Sequence, residues 1–371
     1  MILGFDARLA NAEKRAGVGH YTAELLRALA PHMEEDMLRL YLDAAPVPEF
    51  PLSTKQAEIC VLPKRRFWTH RMLGRELRQR PPDVFFSPVT QLPLFCPCPA
   101  IVVVHDLAFF DFGGHFTFRQ RHIARLQAGY VARHATHLIA DSQATLQDIQ
   151  RLLHVPEHRV TVAPLGCSAH FRRASEETVQ GIRARYQLPD KFILYVGRLQ
   201  PRKNIARLIE AFARVIQRRD DLPHHLVLAG DKGWMEGPIY HAARGSSARD
   251  RIHFLGYVPE ADLPGLMSAA EVLGLVSLWE GFGLPVVEAM ACGTAVITSN
   301  CSSLPEVAGN AAALVNPYDV DDIARALERV IVDNEYHKEL QQRGLVQAAR
   351  FTWDSTARIV MEAIRSVLPK T

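Results

Sequence analysis

Short apolar runs recur along the chain and alternate with longer segments in which apolar residues follow a helical period. Runs of four or five such residues are typical of strands buried on both faces of a parallel sheet. Helical periodicity is clearest over residues 21–30, 205–216 and 320–332. The alternation predicts two doubly wound α/β domains in tandem. The predicted strands cover residues 2–5, 84–87, 100–104, 137–140 and 160–163 in the first half, and 192–196, 225–229, 252–255, 272–275, 294–298 and 312–315 in the second.

Chain length and a change in composition place the boundary between the two domains. At 371 residues the chain is too long for one ordinary hydrophobic core and suits two domains. A polar stretch that includes Arg172, Arg173 and Glu176 separates the two sets of predicted strands. We therefore predict an N-terminal domain over residues 1–170, a linker over 171–188 and a C-terminal domain over 189–351.

Open parallel sheets bind ligands outside the carboxyl ends of their strands, so residues that follow the apolar runs are candidates for a site. In the first half, Gly17 and Gly19 lie between the first strand and the helix over 21–30. Glycines let the backbone approach a ligand closely, and a helix N-terminus favours an anion. His105 and Asp106 directly follow the strand over 100–104. Both side chains need polar partners, so we predict a site here; a core histidine held by a carboxylate is the alternative.

The second half places cations beside a helix N-terminus. After the strand over 192–196 come Gly197, Arg198 and Lys203, and then Asn204, which we predict to cap the next helix. An arginine grips two oxygens at once, whereas a lysine acts as a point charge. Two cations and a helix N-terminus suit a diphosphate, and a basic loop exposed to solvent is the alternative.

The most informative stretch runs from Glu280 to Gly293. Pro285 suits the first turn of a helix and Gly293 suits its end, so the glycine-rich loop after Glu280 lies at a helix N-terminus. Unpaired N–H groups at such a terminus face whatever binds there. Glu288 interrupts an apolar run near the start of that helix, and its carboxylate suits the paired hydroxyls of a ribose. We predict that Glu280 accepts hydrogen bonds from sugar hydroxyls.

The net charge of the chain and its distribution limit the kinds of partner that we expect. The net charge is only +3, which gives no reason to expect a nucleic acid. Between Lys64 and Arg80, however, lie seven basic residues and one acid, interleaved with apolar residues such as Phe67 and Trp68. One interpretation of segment 64–80 is a basic amphipathic helix that contacts an anionic membrane surface or a phosphorylated lipid. The other is an ordinary solvated helix face.

Other features bear on compartment and cofactors. No apolar stretch approaches the roughly 18 residues of a membrane-spanning helix, and the N-terminus enters a strand-like run without the features of a signal peptide. The six scattered cysteines are interpreted as reduced thiols. We expect a cytoplasmic protein, peripheral at most on the inner face of the cell membrane. Asp319 and Asp321 have the spacing of a metal motif but open a helical run, so we interpret them as capping residues and expect no metal and no cofactor.

Together these motifs resemble the retaining glycosyltransferases of family 4, which have the GT-B fold. The resemblance covers nearly the whole chain. It implies two Rossmann-like, doubly wound parallel-sheet domains facing a central cleft, with segment 352–371 crossing back to the first domain. It also implies metal-independent transfer of a hexose from a nucleotide diphosphate sugar. The motifs that carry it are Gly17-Val18-Gly19, His105-Asp106, Gly197-Arg198, Lys203-Asn204, and the glutamates Glu280 and Glu288.

The resemblance implies a role for each matching residue. Arg198 and Lys203 hold the donor diphosphate and offset its growing charge as the sugar leaves, and Glu280 contacts the transferred sugar. His105, followed by Asp106, faces the sugar near the reacting carbon, whose configuration is retained. Ser142 is assigned to the acceptor or a phosphate, with capping of the next helix as the alternative. The residues implied in donor binding are Gly17, Gly19, Gly197, Val258, Phe282, Gly283, Leu284 and Glu288.

The chain most resembles bacterial transferases that build surface polysaccharide. We therefore expect GDP-mannose as donor, with UDP-linked hexoses as the alternative, and a glycan on a lipid diphosphate as acceptor. Two other functions stay open. A nucleotide-sugar epimerase or hydrolase of the same fold would need no acceptor, and a non-catalytic sugar-nucleotide-binding partner would have lost one of the site groups. A nicotinamide dehydrogenase is disfavoured, because neither half has the three-glycine turn with a downstream acid.

Overall fold

The structure, a computed structural model, describes residues 1–13, 15, 17–33, 36–52, 57–233 and 235–368. The chain divides into two compact units. Unit 1 comprises Met1–Asp111, Thr117–Gly166 and Thr352–Thr371, and unit 2 comprises Phe112–Phe116 and Cys167–Phe351. The segment 352–371 therefore groups with unit 1, although its last three residues lie outside the described part of the chain.

Unit 1 is built on one parallel sheet. Its strands are β1 (Ile2–Asp6), β2 (Met37–Leu42), β3 (Glu58–Val61), β4 (Val84–Ser87), β5 (Ala100–Val104), β6 (His137–Ala140) and β7 (Val160–Val162). They lie in the order β3-β2-β1-β4-β5-β6-β7, and all neighbours pair in parallel. The central strands β4 and β5 are buried throughout, as expected for a sheet covered on both faces.

Unit 2 repeats this arrangement with its own sheet. Its strands are β8 (Phe192–Val196), β9 (His225–Ala229), β10 (Ile252–Gly256), β11 (Val272–Leu275), β12 (Ala295–Ser299) and β13 (Ala313–Val315). The strands lie in the order β10-β9-β8-β11-β12-β13, and all neighbours again pair in parallel. From β8 the chain builds the sheet outward first to one side, through β9 and β10, and then to the other, from β11 onward. A crevice at such a reversal is where doubly wound sheets bind their ligands.

Helices connect the strands in both units. Those of unit 1 are α1 (Val18–Leu29), α2 (Gly74–Gln79), α3 (Ala108–Asp111), α4 (Phe118–His134), α5 (Gln143–Leu153) and α14 (Trp353–Ser366). Those of unit 2 are α6 (Glu176–Tyr186), α7 (Ile205–Arg218), α8 (Gly237–Gly245), α9 (Leu263–Ala269), α10 (Leu284–Ala291), α11 (Leu304–Ala308), α12 (Val320–Val332) and α13 (Asn334–Ala348). Within the described ranges, no helix combines the length and apolar character needed to cross a bilayer.

The predicted α/β class with two doubly wound parallel sheets is confirmed. Two details differ. The segment 171–188 is not a linker, because it contains α6, which belongs to unit 2 and buries Ile182 against Gly265 of α9. Strands β2 and β3 were not predicted, because charge interrupts their apolar pattern: Arg39 of β2 is buried and its Nε donates to Glu58 Oε2 of β3 at 2.7 Å.

Candidate active site

The loop after β8 carries the predicted cations of unit 2. It begins at Gly197, whose φ of 146° is unfavourable for other residues, and a Cβ there would lie 2.9 Å from the hydroxyl of Tyr195. Arg198 is exposed to solvent. A 3₁₀ turn over Pro201–Lys203 then leads into α7. The glycine and the tight turn thus bring Arg198 and Lys203 to the carboxyl edge of the sheet.

Asn204 does not cap α7 with its side chain, contrary to our prediction. It adopts the left-handed conformation, with φ of 59°, and is almost fully buried. Its amide group instead donates to the carbonyl oxygens of Val276 at 2.9 Å and Pro317 at 2.7 Å. A buried amide must satisfy both its N–H groups, and here they join the end of β8 to the loops after β11 and β13.

Lys203 forms an ion pair with the buried carboxylate of Glu280. Its Nζ lies 2.6 and 2.8 Å from the two carboxylate oxygens, and Arg202 Nη1 lies 3.6 Å from one of them. Ser277 Oγ also donates to this carboxylate at 2.6 Å. Burial alone would raise the pKa of Glu280, but the charges of Lys203 and Arg202 lower it below its ordinary value. The structure therefore joins two predicted site residues that are far apart in sequence.

The loop that follows Glu280 is held by two serines after β12. Ser302 Oγ accepts from Glu280 N at 3.1 Å, and Ser303 Oγ contacts the carbonyl oxygens of Glu280 and Phe282 at 3.0 and 2.7 Å. Gly283 has φ of 110°, and a Cβ there would lie 2.8 Å from Leu304. Helix α10 begins directly afterwards at Leu284 with Pro285 in its first turn, so its N-terminal amides end at this loop.

A cavity of about 700 Å³ lies at the ends of β8, β9 and β10. Arg198 and Lys232 supply positive charge to its lining, which also contains Asp231. The rings of Tyr240 and Phe254, which line it too, stack with centroids 4.7 Å apart. Beyond β10, Val258 is buried. Flat apolar rings beside cations suit a ligand with both a planar base and a phosphate group.

Glu288 is buried on α10, although most residues of this helix are apolar. Burial, together with the nearby charge of Glu288, raises the pKa of the Cys292 thiol to about 12. An ionised carboxylate can accept hydrogen bonds from two neighbouring hydroxyls, so the hydroxyls of a ribose are suitable ligands for Glu288. Contact between Glu288 and a ribose remains a prediction.

In unit 1, His105 lies at the end of β5 between two acceptors. Its Nδ1 is 2.7 Å from Asp141 Oδ2 and its Nε2 is 2.8 Å from the Pro88 carbonyl oxygen. The Tyr21 ring packs edge-on against the imidazole at 4.8 Å. With Asp141 ionised, neither partner can donate, so both ring nitrogens carry protons when both bonds form. Burial alone would lower the pKa of His105, but Asp141 raises it above its ordinary value.

The other predicted residues of unit 1 lie at helix starts. Asp106 accepts from Ala108 N at 3.1 Å at the start of α3. Ser142 accepts from Thr145 N at 3.1 Å and thus caps α5, which was the alternative we gave for it. Gly17 precedes α1, and the buried Gly19 lies in its first turn. A role of Ser142 at the acceptor and of both glycines at the donor stays a prediction.

Sequence reasoning did not select several residues that the structure adds to these sites. In unit 2 they are Arg202, Ser277, Ser302 and Ser303, and in unit 1 the chief addition is Asp141. Ser277, the two later serines and Asp141 follow β11, β12 and β6, respectively. The strand-end rule that selected His105 would therefore also have selected them.

Asp319 caps a helix, as we interpreted it. Its Oδ1 accepts from the backbone N–H groups of Asp321 and Asp322 at 2.9 and 3.1 Å, at the start of α12. Across the part of the chain that the structure describes, His, Cys, Asp and Glu side chains form no group of three suited to a metal ion. Metal independence stays a prediction.

Comparison with known proteins identifies the family. The family model "Glycosyltransferase Family 4" matches residues 15–170, and "Glycosyl transferases group 1" matches residues 181–346. The chain belongs to glycosyltransferase family 4. It is a glycosyltransferase, as the sequence motifs predicted.

Individual relatives agree with this assignment. The chain is 28% identical over 366 residues to the O-antigen chain mannosyltransferase B of Escherichia coli, covering 94% of this chain and 96% of that protein. It is 32% identical over 281 residues to the serotype-specific mannosyltransferase WbdA of Escherichia coli, covering 73% of this chain but only 34% of that longer protein.

Solved structures agree on the fold. Sucrose-phosphate synthase from Thermosynechococcus elongatus superposes with a TM-score of 0.78 at 19% identity, covering 98% of both chains. At this identity the likeness shows the GT-B fold alone, which confirms the predicted fold family.

Proposed function

We propose that this glycosyltransferase is a mannosyltransferase that takes mannose from GDP-mannose. The observation that carries the proposal is the carboxyl edge of the unit 2 sheet, where the aromatic cavity with Arg198 continues along one loop to the Lys203–Glu280 pair. The cavity suits the base, and the cations suit the diphosphate. The names of the two Escherichia coli relatives favour mannose as the sugar.

The proposed reaction replaces one bond at the anomeric carbon by another. The bond from this carbon to the donor phosphate oxygen breaks, and a bond to an acceptor hydroxyl oxygen forms on the same face, which retains the configuration. The acceptor proton passes to an oxygen of the departing diphosphate. Arg198 and Lys203 stabilise the charge on that leaving group, which is the step where fixed cations lower a barrier most.

The ion pair between Lys203 and Glu280 has a part in this scheme. The two side chains pair with each other, and a bound diphosphate would share Lys203 with Glu280. Glu280 would then accept from hydroxyls of the transferred sugar. We propose that no metal is needed, because Lys203, Arg202 and Arg198 already supply positive charge.

For the acceptor we propose a glycan or lipid-linked glycan in surface polysaccharide synthesis, in keeping with the names of the relatives. We include peripheral contact of segment 64–80 with the membrane in this proposal, since a lipid-linked acceptor lies at a bilayer. An epimerase or hydrolase would instead release isomer or free sugar from the donor without any acceptor.

A thermal-shift panel tests the donor. GDP and GDP-mannose should raise the melting temperature more than UDP, ADP and their sugars, because the tightest ligand stabilises most. Glu288→Ala should lose most of the shift, whereas Glu335→Ala, on the exposed start of α13, should keep it. A larger shift with a UDP-hexose would mean that this sugar nucleotide, and not GDP-mannose, is the donor. No shift with any nucleotide would reject the proposed function.

A further inference from the structure

Arg8 follows the first strand of unit 1 at the carboxyl edge of the sheet. Strand β1 ends at Asp6, and the Nε and Nη2 atoms of Arg8 donate to the two Asp6 carboxylate oxygens at 2.9 and 2.7 Å. The Cζ atom of Arg8 lies 4.2 Å from the ring centroid of Trp68. The Trp68 ring is buried, and its Nε1 donates to the Leu62 carbonyl oxygen at 3.2 Å. Arg8 is therefore held by a bidentate ion pair along one side and by an aromatic ring against one face.

Arg8 also has donors that the protein does not use. A guanidinium carries five N–H groups, and Asp6 accepts from only two of them. Over the described ranges, the Arg8 side chain donates to no residue other than Asp6. The side chain of Arg8 is 19% exposed, whereas that of Asp6 is 4% exposed. The remaining N–H groups of Arg8 can therefore donate to oxygen atoms of a ligand.

The charges at this edge balance one another. Asp43 directly follows β2, and its Oδ2 lies 3.7 Å from the Nζ of Lys64. Burial alone would lower the pKa of Arg8, but Asp6 and Asp43 together hold it above its ordinary value. Two carboxylates and two cations leave no net charge to attract an anion. An uncharged sugar suits such a set, because its hydroxyls accept from a guanidinium and donate to a carboxylate.

The position of Arg8 in the sheet favours a ligand there. From β1 the chain of unit 1 builds the sheet first through β2 and β3 and then, on the other side, from β4 onward. Doubly wound sheets bind ligands at the carboxyl edge between two such halves. Only β4 separates β1 from β5, so the ends of these two strands lie about 10 Å apart. A sugar bound at Arg8 therefore lies near His105, which we expect to face the reacting carbon.

We propose that Arg8 and Asp43 bind an uncharged sugar residue of the acceptor glycan. Arg8 donates to oxygen atoms of that sugar, and Asp43 accepts from one of its hydroxyls. The inference rests on the proposed sugar transfer and adds to it that this edge recognises the glycan part of the acceptor and not a phosphate. A phosphate would seek an unpaired cation, whereas the charge of Arg8 is already matched by Asp6. Sugar binding itself is measurable without transfer.

Saturation-transfer NMR on the full chain tests the proposal, with methyl α-mannobioside as the uncharged probe. Wild type should transfer saturation to the probe, and inorganic phosphate should not compete with it. Arg8→Lys keeps a cation beside Asp6 but loses the planar set of N–H groups, so the Kd of the probe should rise about tenfold. A purely structural role of Arg8, as the partner of Asp6, would survive in the lysine variant. Asp43→Ala should weaken binding as well, because it removes the carboxylate that accepts from the sugar.

The matched control is Arg27→Lys on α1, since Arg27 is also an arginine of unit 1 that donates to a carboxylate, that of Glu24. It should bind the probe like wild type. The side chain of Asp43 is 22% exposed, so Asp43→Ala should stay folded even if Arg8→Lys does not.

Three results overturn the proposal: wild type that does not bind the mannobioside, a folded Arg8→Lys or Asp43→Ala variant that binds it like wild type, and phosphate that displaces it. The last result would make this edge a phosphate site. The nucleotide-induced thermal shift should survive in all variants. Its absence from wild type rejects the donor proposal and leaves the sugar-binding result intact.

Discussion

The two sheets share one strand order through their first six strands, yet their carboxyl edges carry different chemistry. In unit 2 the edge holds Lys203 and Arg202 against Glu280, next to a cavity that Arg198 lines. In unit 1 the edge holds His105, with both ring nitrogens already bonded to Asp141 and Pro88. Topology thus determines where a site lies, whereas the loops determine what it can bind.

The two edges also differ in how their charges are satisfied. The Lys203 ammonium has three donors and stands on a flexible stem, so it can turn from Glu280 toward another anion. The imidazole of His105 has only two donors, and both are used. We therefore assign the exchange of partners on ligand binding to unit 2, and to unit 1 a His105 whose two ring nitrogens are held by Asp141 and Pro88.

Lys203→Ala should give the largest effect, because it removes the cation at the carboxyl edge of the unit 2 sheet. Transfer should fall about 100- to 1,000-fold, because the leaving diphosphate loses a preorganised cation. The assay is sugar transfer from labelled donor under single-turnover conditions. The variant Lys203→Met/Glu280→Gln separates folding from catalysis, since it leaves no unpaired buried carboxylate. Full activity in both variants would remove Lys203 from the site.

Asp141→Asn should have a smaller effect and shows whether unit 1 holds a fixed charge. His105 has its pKa raised above 6.5 in the folded chain, so the stability it gains is fully present below pH 6.5 and is lost as pH rises through the folded pKa. The variant should melt lower than wild type near pH 6 by roughly 3–10 °C, and the gap should close at alkaline pH.

Calorimetry at several pH values measures that gap, and nitrogen NMR of His105 reports its protonation directly. In wild type both ring nitrogens should carry protons at pH 6, and Asp141→Asn should lower the midpoint of titration. A His105 that is neutral at pH 6 in wild type would show that the edge of unit 1 has no fixed charge.

Asp319→Ala should have the smallest effect, and it tests whether Asp319 takes part in transfer or only caps α12. Loss of its capping bonds to α12 should cost about 1 kcal/mol of stability. Transfer by the folded variant should equal that of wild type, and a chelator should leave wild-type transfer unchanged. If chelator or this substitution stopped transfer, a metal bound by Asp319 would have to be part of the site.

Most of the sheet core could be predicted from the sequence because parallel strands buried on both faces leave apolar runs, as in β5 and β8. Strands β2 and β3 escaped prediction because Arg39 and Glu58 neutralise each other only once the strands pair. Helix α6 escaped because it buries little besides Ile182, so its sequence has the polar character of a linker. The local sequence pattern cannot show contacts with residues that are distant in the sequence.

For the candidate site, too, the sequence predicted the positions of residues but not their contacts. Strand ends selected Lys203, Glu280 and His105, because every such residue lies at one edge of its sheet. The pairing of Lys203 with Glu280, and the placement of Asn204 under neighbouring loops, depends on contacts between residues distant in sequence. The assignment of roles came from the family resemblance, and it stays a set of predictions for the donor-binding residues.

Ser303 has a consequence for the loop after Glu280. Its one hydroxyl proton is shared between two carbonyl oxygens of that loop, so the backbone shape is set before any ligand arrives. A ligand that meets a loop already in shape loses little affinity to immobilising it. Removing one oxygen atom, as in Ser303→Ala, would therefore slow no chemical step directly, yet would weaken capture by freeing a peptide that the native chain keeps still.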